Sequence, residues 1–416
     1  MNILITGGAG YIGNATTREF LKYGYKVIVY DNLSKGHKKF LPENIVFIEG
    51  DLNDKKKIKE IIFKYEIDFV IHLAAYAEAG ESVHKPSKYF YNNVINTIIL
   101  LEAMLESGIK NIVFSSSAAV YGNPKKFPIT EDSEISPMNP YGETKMLMEN
   151  ILLEFVDKYK FNSVALRYFN AAGALEDCGE NHNPETHIIP RFIKAGLKGD
   201  SITIFGDGSH RRDYIHIKDL AKAHVLSLEL IKEKSFVNKE GFFDVFNLGT
   251  GKMYTNLEIA YKTLEMIHKK TGKKSESKII HLEERAGDPK DLMSSNEKAK
   301  KYLNWHPEKT EIEEIISDSL NWHMNSMEEY EENNFKEKTY QEMSEDIIYC
   351  LKLCNYLTKE LKKKIMELLL KNEMHALRMI NFKDTTNNQI LDLLLNEINM
   401  RNKIGMNLIE ELKNIS

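Results

Sequence analysis

A strand, a glycine turn and a helix follow one another without a break near the start of the chain, and this arrangement limits the possible folds more than any other stretch. Ile3-Leu4-Ile5-Thr6 is a short apolar run of strand type, Gly7-Gly8-Ala9-Gly10-Tyr11-Ile12-Gly13 follows at once, and a helical stretch continues to Leu21. Gly8, Gly10 and Gly13 satisfy a G-x-G-x-x-G spacing, while Gly7, Gly10 and Gly13 satisfy the related G-x-x-G-x-x-G. Either lets backbone, with Tyr11 and Ile12 beside it, approach a pyrophosphate at a helix N-terminus, where free N–H groups and the helix dipole favour negative charge. Lys26 to Tyr30 then reads as a second strand ending at Asp31-Asn32. A carboxylate at that point accepts hydrogen bonds from an adenosine ribose and repels a 2′-phosphate, so NAD is expected rather than NADP.

The alternation continues. Asn44 to Glu49 ends at Gly50-Asp51-Leu52, Phe69 to His72 ends at Leu73-Ala74-Ala75, and Asn111 to Phe114 ends at Ser115-Ser116-Ser117. Helical periodicity over Lys55 to Tyr65 and Asn92 to Ser107 supplies crossovers. The expected fold is a Rossmann-type doubly wound parallel sheet, whose ligands lie beyond the carboxyl ends of the strands. Asp51 and Leu52 should then flank the adenine, Leu73, Ala74 and Ala75 the nicotinamide ribose, and the serines the reacting carbon.

Tyr141-Gly142-Glu143-Thr144-Lys145 supplies the chemistry. On a helix, positions i and i+4 share a face, so Lys145 can sit near Tyr141 and favour its phenolate, lowering a pKa of about 10. A tyrosine tuned in this way is a usable base near neutral pH. With a serine hydroxyl opposite, the set points to hydride chemistry on a carbinol.

The 416 residues carry 56 basic and 61 acidic side chains, a formal charge of −5, and no long single-sign block. Nothing here suggests nucleic acid, although a local basic patch could still bind a diphosphate. No apolar run approaches the ~18 residues of a membrane helix, and Met1-Asn2-Ile3 leads directly into a strand with no signal peptide, so a cytoplasmic protein is expected. Cys178, Cys350 and Cys354 form neither a disulfide framework nor a zinc pattern. The histidines show no paired metal-ligand spacing, His72 reads as packed, and no metal is expected.

Gly7 to Gly13, Asp31 to Ser34, Gly80-Glu81-Ser82-Val83, Ser115 to Ser117, Tyr121-Gly122 and Tyr141 to Lys145 together resemble the extended short-chain dehydrogenase/reductase family. Arg167 to Ala174, Pro184 to Pro190, Arg212 to His216 and Arg285-Ala286-Gly287-Asp288-Pro289 narrow the resemblance to its UDP-sugar 4-epimerase branch, over residues 1–325. The resemblance implies Tyr141 as base, Lys145 as its activator and nicotinamide-ribose ligand, and Ser117 as the hydroxyl bridging Tyr141 and the sugar oxygen. It implies that Asn92 and Phe169 hold the nicotinamide region. Asn170, the backbone around His187 and Ile188, Thr203, Phe205, Arg212 and Arg285 would hold the UDP part, with Asp288 on the uridine ribose. The implied reaction is reversible C4 epimerisation of a UDP-hexose, UDP-glucose/UDP-galactose, through a 4-keto sugar with tightly bound NAD, in a homodimer.

Three departures bear on the sugar. The segment Ile204 to Arg212 is shorter than the loop usual in UDP-galactose epimerases, Ala77 replaces a polar residue that some relatives place near the cofactor, and Leu292 stands where a tyrosine restricts the sugar pocket in some members. A smaller side chain there would admit the N-acetyl group of UDP-GlcNAc and UDP-GalNAc. A dehydratase would need acidic groups directly after the active-site hydroxyl, where this chain has Ala118-Ala119. The same motifs also leave room for an epimerase acting on a UDP-uronate or UDP-pentose, and for a non-catalytic nucleotide-sugar sensor. Asp213 and His216 read as structural hydrogen-bonding residues.

The expected division is 1–175 for the NAD-binding domain, with a returning strand near 243–249, 176–325 for the UDP-sugar domain, 326–340 as linker and 341–416 as an all-α extension of unknown role. Ile347, Leu351, Cys354, Leu357, Leu361, Ile365 and Leu368 recur at helical spacing, as do Ile390, Leu391, Leu394, Leu395, Ile398 and Leu408. Met374, His375 and Met379 read as core, and the extension as a further assembly or docking element.

Overall fold

The runs Ile3–Ile5, Val27–Tyr30 and Phe69–Ile71 are apolar without alternation because the sheet they form is covered on both faces. In the computed structural model, which describes residues 1–182, 185–237, 239–283 and 289–334, the main sheet has seven strands. In chain order they are β1 (Asn2–Thr6), β2 (Lys26–Asp31), β3 (Val46–Glu49), β4 (Phe69–His72), β5 (Asn111–Ser117), β6 (Asn162–Tyr168) and β7 (Phe242–Leu248). Their spatial order is β7-β6-β5-β4-β1-β2-β3, and every adjacent pair is parallel. This is the Rossmann-type sheet expected from the alternation. The chain leaves β1 toward β2 and β3, then crosses back to lay β4 on the other side of β1, so the crevice between the carboxyl ends of β1 and β4 is the switch point where ligands bind.

Period-two alternation divides each strand between two cores. Ile3, Ile5, Val27, Val29 and Ile71 face one layer that includes Phe20 of α1 (Tyr11–Lys22). Leu4, Ile28, Val70, Ile112 and Phe114 face the other. That second layer holds Ile58 and Ile62 of α2 (Lys55–Lys64), Leu100 and Met104 of α3 (Asn96–Glu106), and Met148 and Leu152 of α4 (Pro140–Tyr159).

The continuous helix expected over Asn92 to Ser107 is interrupted at its start. Residues Phe90–Ile95 form a π-helical turn before α3 begins. The extra residue turns Asn93 inward, where Oδ1 accepts from the Tyr76 amide at 2.9 Å while Nδ2 donates to the Tyr76 carbonyl at 3.0 Å and to Thr144 at 3.2 Å. Such turns persist where tertiary hydrogen bonds offset the lost helical ones, often beside functional sites.

After β6 the chain builds a smaller α/β layer from α5 (Ile188–Lys198), the parallel strand pair Ile202–Phe205 and Ile279–Leu282, and the helix Asn256–Thr271. Ile189, Phe192, Ile193, Ile204, Ile259 and Ile316 form its core. Met1–Met324 form one compact unit, and no described helix is long and apolar enough to cross a membrane. The expectations for residues 335–416, including Cys350 and Cys354, and those for Pro184, Arg285 and Asp288, lie outside the described residues.

Candidate active site

A cavity of about 940 Å³ opens over the switch point. Gly7, Gly10, Tyr11, Ile12 and Gly13 line one end, with Asp31, Asn32, Asp51, Leu52, Leu73, Ala74 and Ala75. Ser117, Tyr141, Lys145, Asn92 and Phe169 line the middle, and Asn170, His187, Ile188, Thr203, Phe205 and Arg212 the far side.

The glycines divide the work at the first end. A Cβ on Gly7, whose φ is +72°, would lie 2.5 Å from the Ala74 nitrogen, and one on Gly13 would lie 2.1 Å from the Gly7 carbonyl oxygen. Both positions therefore exclude a side chain to let helix, turn and β4 pack. Gly10, the N-cap of α1, meets only the Gly7 carbonyl oxygen, at 3.3 Å, so its other side faces the cavity and allows a ligand to reach the helix N-terminus. Asp31 is held by the amides of Ala9 at 3.0 Å and Leu33 at 2.8 Å. Burial raises its pKa, and those two amides oppose the shift. Asn32 donates to Asp51 at 2.7 Å, fixing the neighbouring strand end. A cradle of backbone followed by a fixed carboxylate one strand away fits a dinucleotide.

Tyr141 reaches the serines because α4 starts abruptly. Asn139 caps it by accepting from the Gly142 amide at 2.9 Å, and Pro140 occupies the first turn, where its missing N–H costs nothing. A Cβ on Gly142 would lie 2.5 Å from the Ala119 carbonyl oxygen, so only glycine lets this helix abut the turn after β5. Ser117, which accepts from the Ala119 amide at 3.1 Å, hydrogen-bonds the Tyr141 phenol. One helical turn on, Lys145 Nζ donates to the Ser115 carbonyl at 2.6 Å and lies 5.8 Å from the centre of the Tyr141 ring.

The electrostatics correct one expectation. Desolvation raises the Tyr141 pKa above its ordinary value, the Ser117 hydrogen bond opposes this, and the Glu78 carboxylate adds to the rise. Lys145 does not offset it, because burial brings its own pKa down to about 7 against a raising influence from Glu149. Helical spacing gave the correct neighbours, but it carries no information on desolvation, and that is the dominant influence on both groups.

On the far side, Asn170 is anchored through its amide to the Asp213 carbonyl at 2.9 Å. Arg212 donates to the carbonyls of Lys290 at 3.0 Å and Pro289 at 2.6 Å. The sequence reading overlooked Arg191, which lines the cavity, donates to the Thr203 carbonyl at 2.8 Å and sits 5.4 Å from the Phe205 ring centre. Its place one helical turn after His187 was the available signal. Also missed was the Lys35–Glu78 ion pair at 2.8 Å, joining two loops of the cavity wall; no sequence pattern links those loops. Asp213 and His216 do serve structure: Asp213 accepts from Thr250, Gly251 and Ser294, and His216 from the Lys218 amide. His72 is buried between Thr6 and Thr97.

Two of the histidines, which show no paired ligand spacing along the sequence, come together in space with two glutamates. Glu180, His182, Glu185 and His187 bring four ligand-type atoms within 4.8 Å of one another. Linear spacing does not reveal that the four come together.

Fold and site together define a Rossmann-type α/β enzyme with a serine–tyrosine–lysine set beside a dinucleotide cradle. The model of the NAD dependent epimerase/dehydratase family matches residues 3–249. A UDP-glucose 4-epimerase of Lactobacillus helveticus is 44% identical over 80% of this chain and 100% of its own length. The crystal structure of UDP-glucose 4-epimerase from Brucella ovis in complex with NAD is 40% identical, with a TM-score of 0.70 over 77% of this chain and 97% of that one. The enzyme from Bifidobacterium longum, in complex with NAD+ and UDP, is 34% identical, with a TM-score of 0.71 over 78% of this chain and 98% of that one. The chain belongs to the NAD dependent epimerase/dehydratase family.

Proposed function

We propose that the protein catalyses the reversible C4 epimerisation of a UDP-hexose, interconverting UDP-glucose and UDP-galactose through a 4-keto sugar with NAD held in the cleft. The observation that carries this reading is the position of Ser117, Tyr141 and Lys145 in one cavity between the Gly7–Gly13 cradle and the Asn170–Arg212 wall. NAD, when bound, accepts the C4 hydrogen as hydride and returns it. Gly10 and the first turn of α1 hold the pyrophosphate, Asp31 and Asp51 the adenosine side, and Asn92 and Phe169 the nicotinamide side. Lys145 bonds the nicotinamide ribose.

Tyr141 takes the proton of the 4-hydroxyl as C4 is oxidised, and gives it back to the ketone oxygen when the opposite face is reduced. Ser117 bridges the phenol and the sugar oxygen, stabilising the negative charge that moves between them. Asn170, the His187–Ile188 backbone, Thr203, Phe205, Arg212, Arg285 and Asp288 grip the UDP, so the sugar alone is left to turn over. Ala118 and Ala119 supply no acid for the elimination a dehydratase would perform.

The test is incubation of purified protein with UDP-galactose, UDP-GalNAc, UDP-xylose and UDP-glucuronate separately, without added reductant, with products resolved by chromatography. UDP-glucose should form from UDP-galactose. No conversion of UDP-galactose would overturn the reading.

A wider sugar pocket is supported by Leu292, which lines the cavity and packs with Tyr121, Ile129 and Phe169. UDP-GalNAc should also be turned over, and Leu292→Tyr should reduce its kcat/KM relative to UDP-galactose by roughly tenfold or more, the scale of a steric change in an apolar pocket. Wild-type protein inert toward UDP-GalNAc would show the idea to be wrong.

We further assign cofactor binding to residues 1–175 with the returning β7, UDP-sugar binding to 176–325, and a linker role to 326–340, in a cytoplasmic homodimer whose further assembly or docking falls to 341–416. Deletion from residue 328 onward is expected to reduce the number of chains per particle measured by light scattering while turnover persists; an unchanged number of chains would remove the assembly role.

A further inference from the structure

Four side chains with no part in the proposed chemistry meet at the head of α5. Glu180 Oε1 lies 2.5 Å from His187 Nδ1 and 3.4 Å from His182 Nδ1. Glu185 Oε1 lies 3.8 Å from His187 Nδ1 and 3.9 Å from His182 Nδ1. Donor atoms at about 2.0–2.1 Å around a tetrahedral zinc are roughly 3.3 Å from one another, so the observed separations bracket those of a coordination shell.

A second observation concerns direction. Both Nδ1 atoms are buried, yet neither makes an aligned hydrogen bond, although carboxylate oxygens lie close by. The four ligand-type atoms lie within 4.8 Å of one another. Glu180 is only 6% exposed, and a carboxylate so buried requires a compensating charge, which His182 and His187 supply when no ion is bound. Glu185 is already oriented from behind: its Oε1 accepts from the amides of Thr186 at 3.1 Å and His187 at 3.2 Å, and its Oε2 from Lys194 Nζ at 3.1 Å. Such outer bonds aim a ligating carboxylate.

We propose that Glu180, His182, Glu185 and His187 bind one divalent transition-metal ion, with zinc the best match to two imidazole and two carboxylate donors. Four protein ligands leave no open position, so the ion is structural. It ties the Glu180–His182 segment to the first turn of α5 and so fixes the part of the cavity wall formed by His187 and Ile188.

The test uses the full chain, dialysed against a chelator and then against Zn²⁺, with retained metal measured by mass spectrometry and Tm recorded before and after. One equivalent of zinc per chain and a rise in Tm are expected in the wild type. Glu180→Gln and His182→Ala should each lose both effects while keeping the wild-type circular dichroism spectrum. Should these variants fail to fold, the X-ray absorption spectrum of zinc-loaded wild type decides by itself: nitrogen and oxygen donors alone support the site, and sulfur donors overturn it. Retention of less than one equivalent by wild type, or equal retention by folded variants, would leave the cluster as an ion-pair clamp and overturn the proposal.

Discussion

Tyr141→Phe is expected to lower kcat for UDP-galactose by about 10²–10⁴-fold, the range general acid–base groups contribute, while NAD content and Tm stay near wild type. The substitution removes one hydroxyl, whose partner is the Ser117 side chain. The ring keeps its edge-to-face contact with Tyr89, at 6.5 Å between centres, and the backbone amide keeps its bond to Ser82 at 3.2 Å. Fold and cleft therefore survive, and proton transfer alone is lost. The measurement is steady-state epimerisation, with bound NAD determined after denaturing the protein. Turnover within threefold of wild type would mean that another group moves the proton.

The raised Tyr141 pKa makes this result informative. Desolvation and Glu78 both disfavour the phenolate, so the ligand-free chain holds a protonated phenol at neutral pH. The basic form has to be favoured once the cleft is filled, by cationic charge brought next to the ring and by the bond from Ser117. Tyrosine suits that duty because its hydroxyl switches between donor and acceptor without moving the ring.

The parallel sheet was legible in the sequence because strands covered on both faces must be apolar throughout, and Ile3–Ile5, Val27–Val29 and Phe69–Ile71 are. Ser117, Tyr141 and Lys145 could be named for a similar reason: strand end and helix start are local signals, and i to i+4 spacing is fixed by helix geometry. Features set by contacts between distant segments stayed hidden. Asn93 leaves the helical path because Tyr76 and Thr144 receive it, and nothing in Phe90–Ile95 alone requires a π turn. Lys35 meets Glu78 only because β2 and β4 end on the same edge of the sheet. The meeting of Glu180, His182, Glu185 and His187 cannot be read from alternating Glu and His. In each case the chemistry of the residue was visible, and its neighbours were not.

Glu149→Ala should cost about 3–5 kcal/mol of folding free energy, the scale for breaking one side of a buried ion pair. Tyr141, Lys145 and Glu149 follow one another at four-residue intervals along α4, and the last of them anchors the stripe. Arg167 of β6 grips Glu149 with two parallel bonds, Nε to Oε1 at 2.9 Å and Nη2 to Oε2 at 2.6 Å, and Ser116 donates to Oε1 at 2.5 Å. The side chains are 4% and 6% exposed, so truncating Glu149 leaves a guanidinium with little water to replace its partner. Arg167 also donates to the Tyr121 hydroxyl at 2.7 Å, which donates in turn to Asn247 of β7 at 2.7 Å. The network thus joins helix α4 to the three strands at one side of the sheet. Denaturant unfolding of the single variant and of Glu149→Met/Arg167→Met measures the effect. The double substitution should recover part of the loss, because no charge is then stranded. A kinetic consequence has a definite sign. The Glu149 carboxylate raises the Lys145 pKa, which stands at about 7; without it that value falls, the ammonium is less populated at neutral pH, and the limb of the pH–rate profile set by Lys145 should move toward acid. A loss of stability under 1 kcal/mol, together with an unmoved profile, would show that Arg167 finds other partners and that Glu149 has no influence on Lys145.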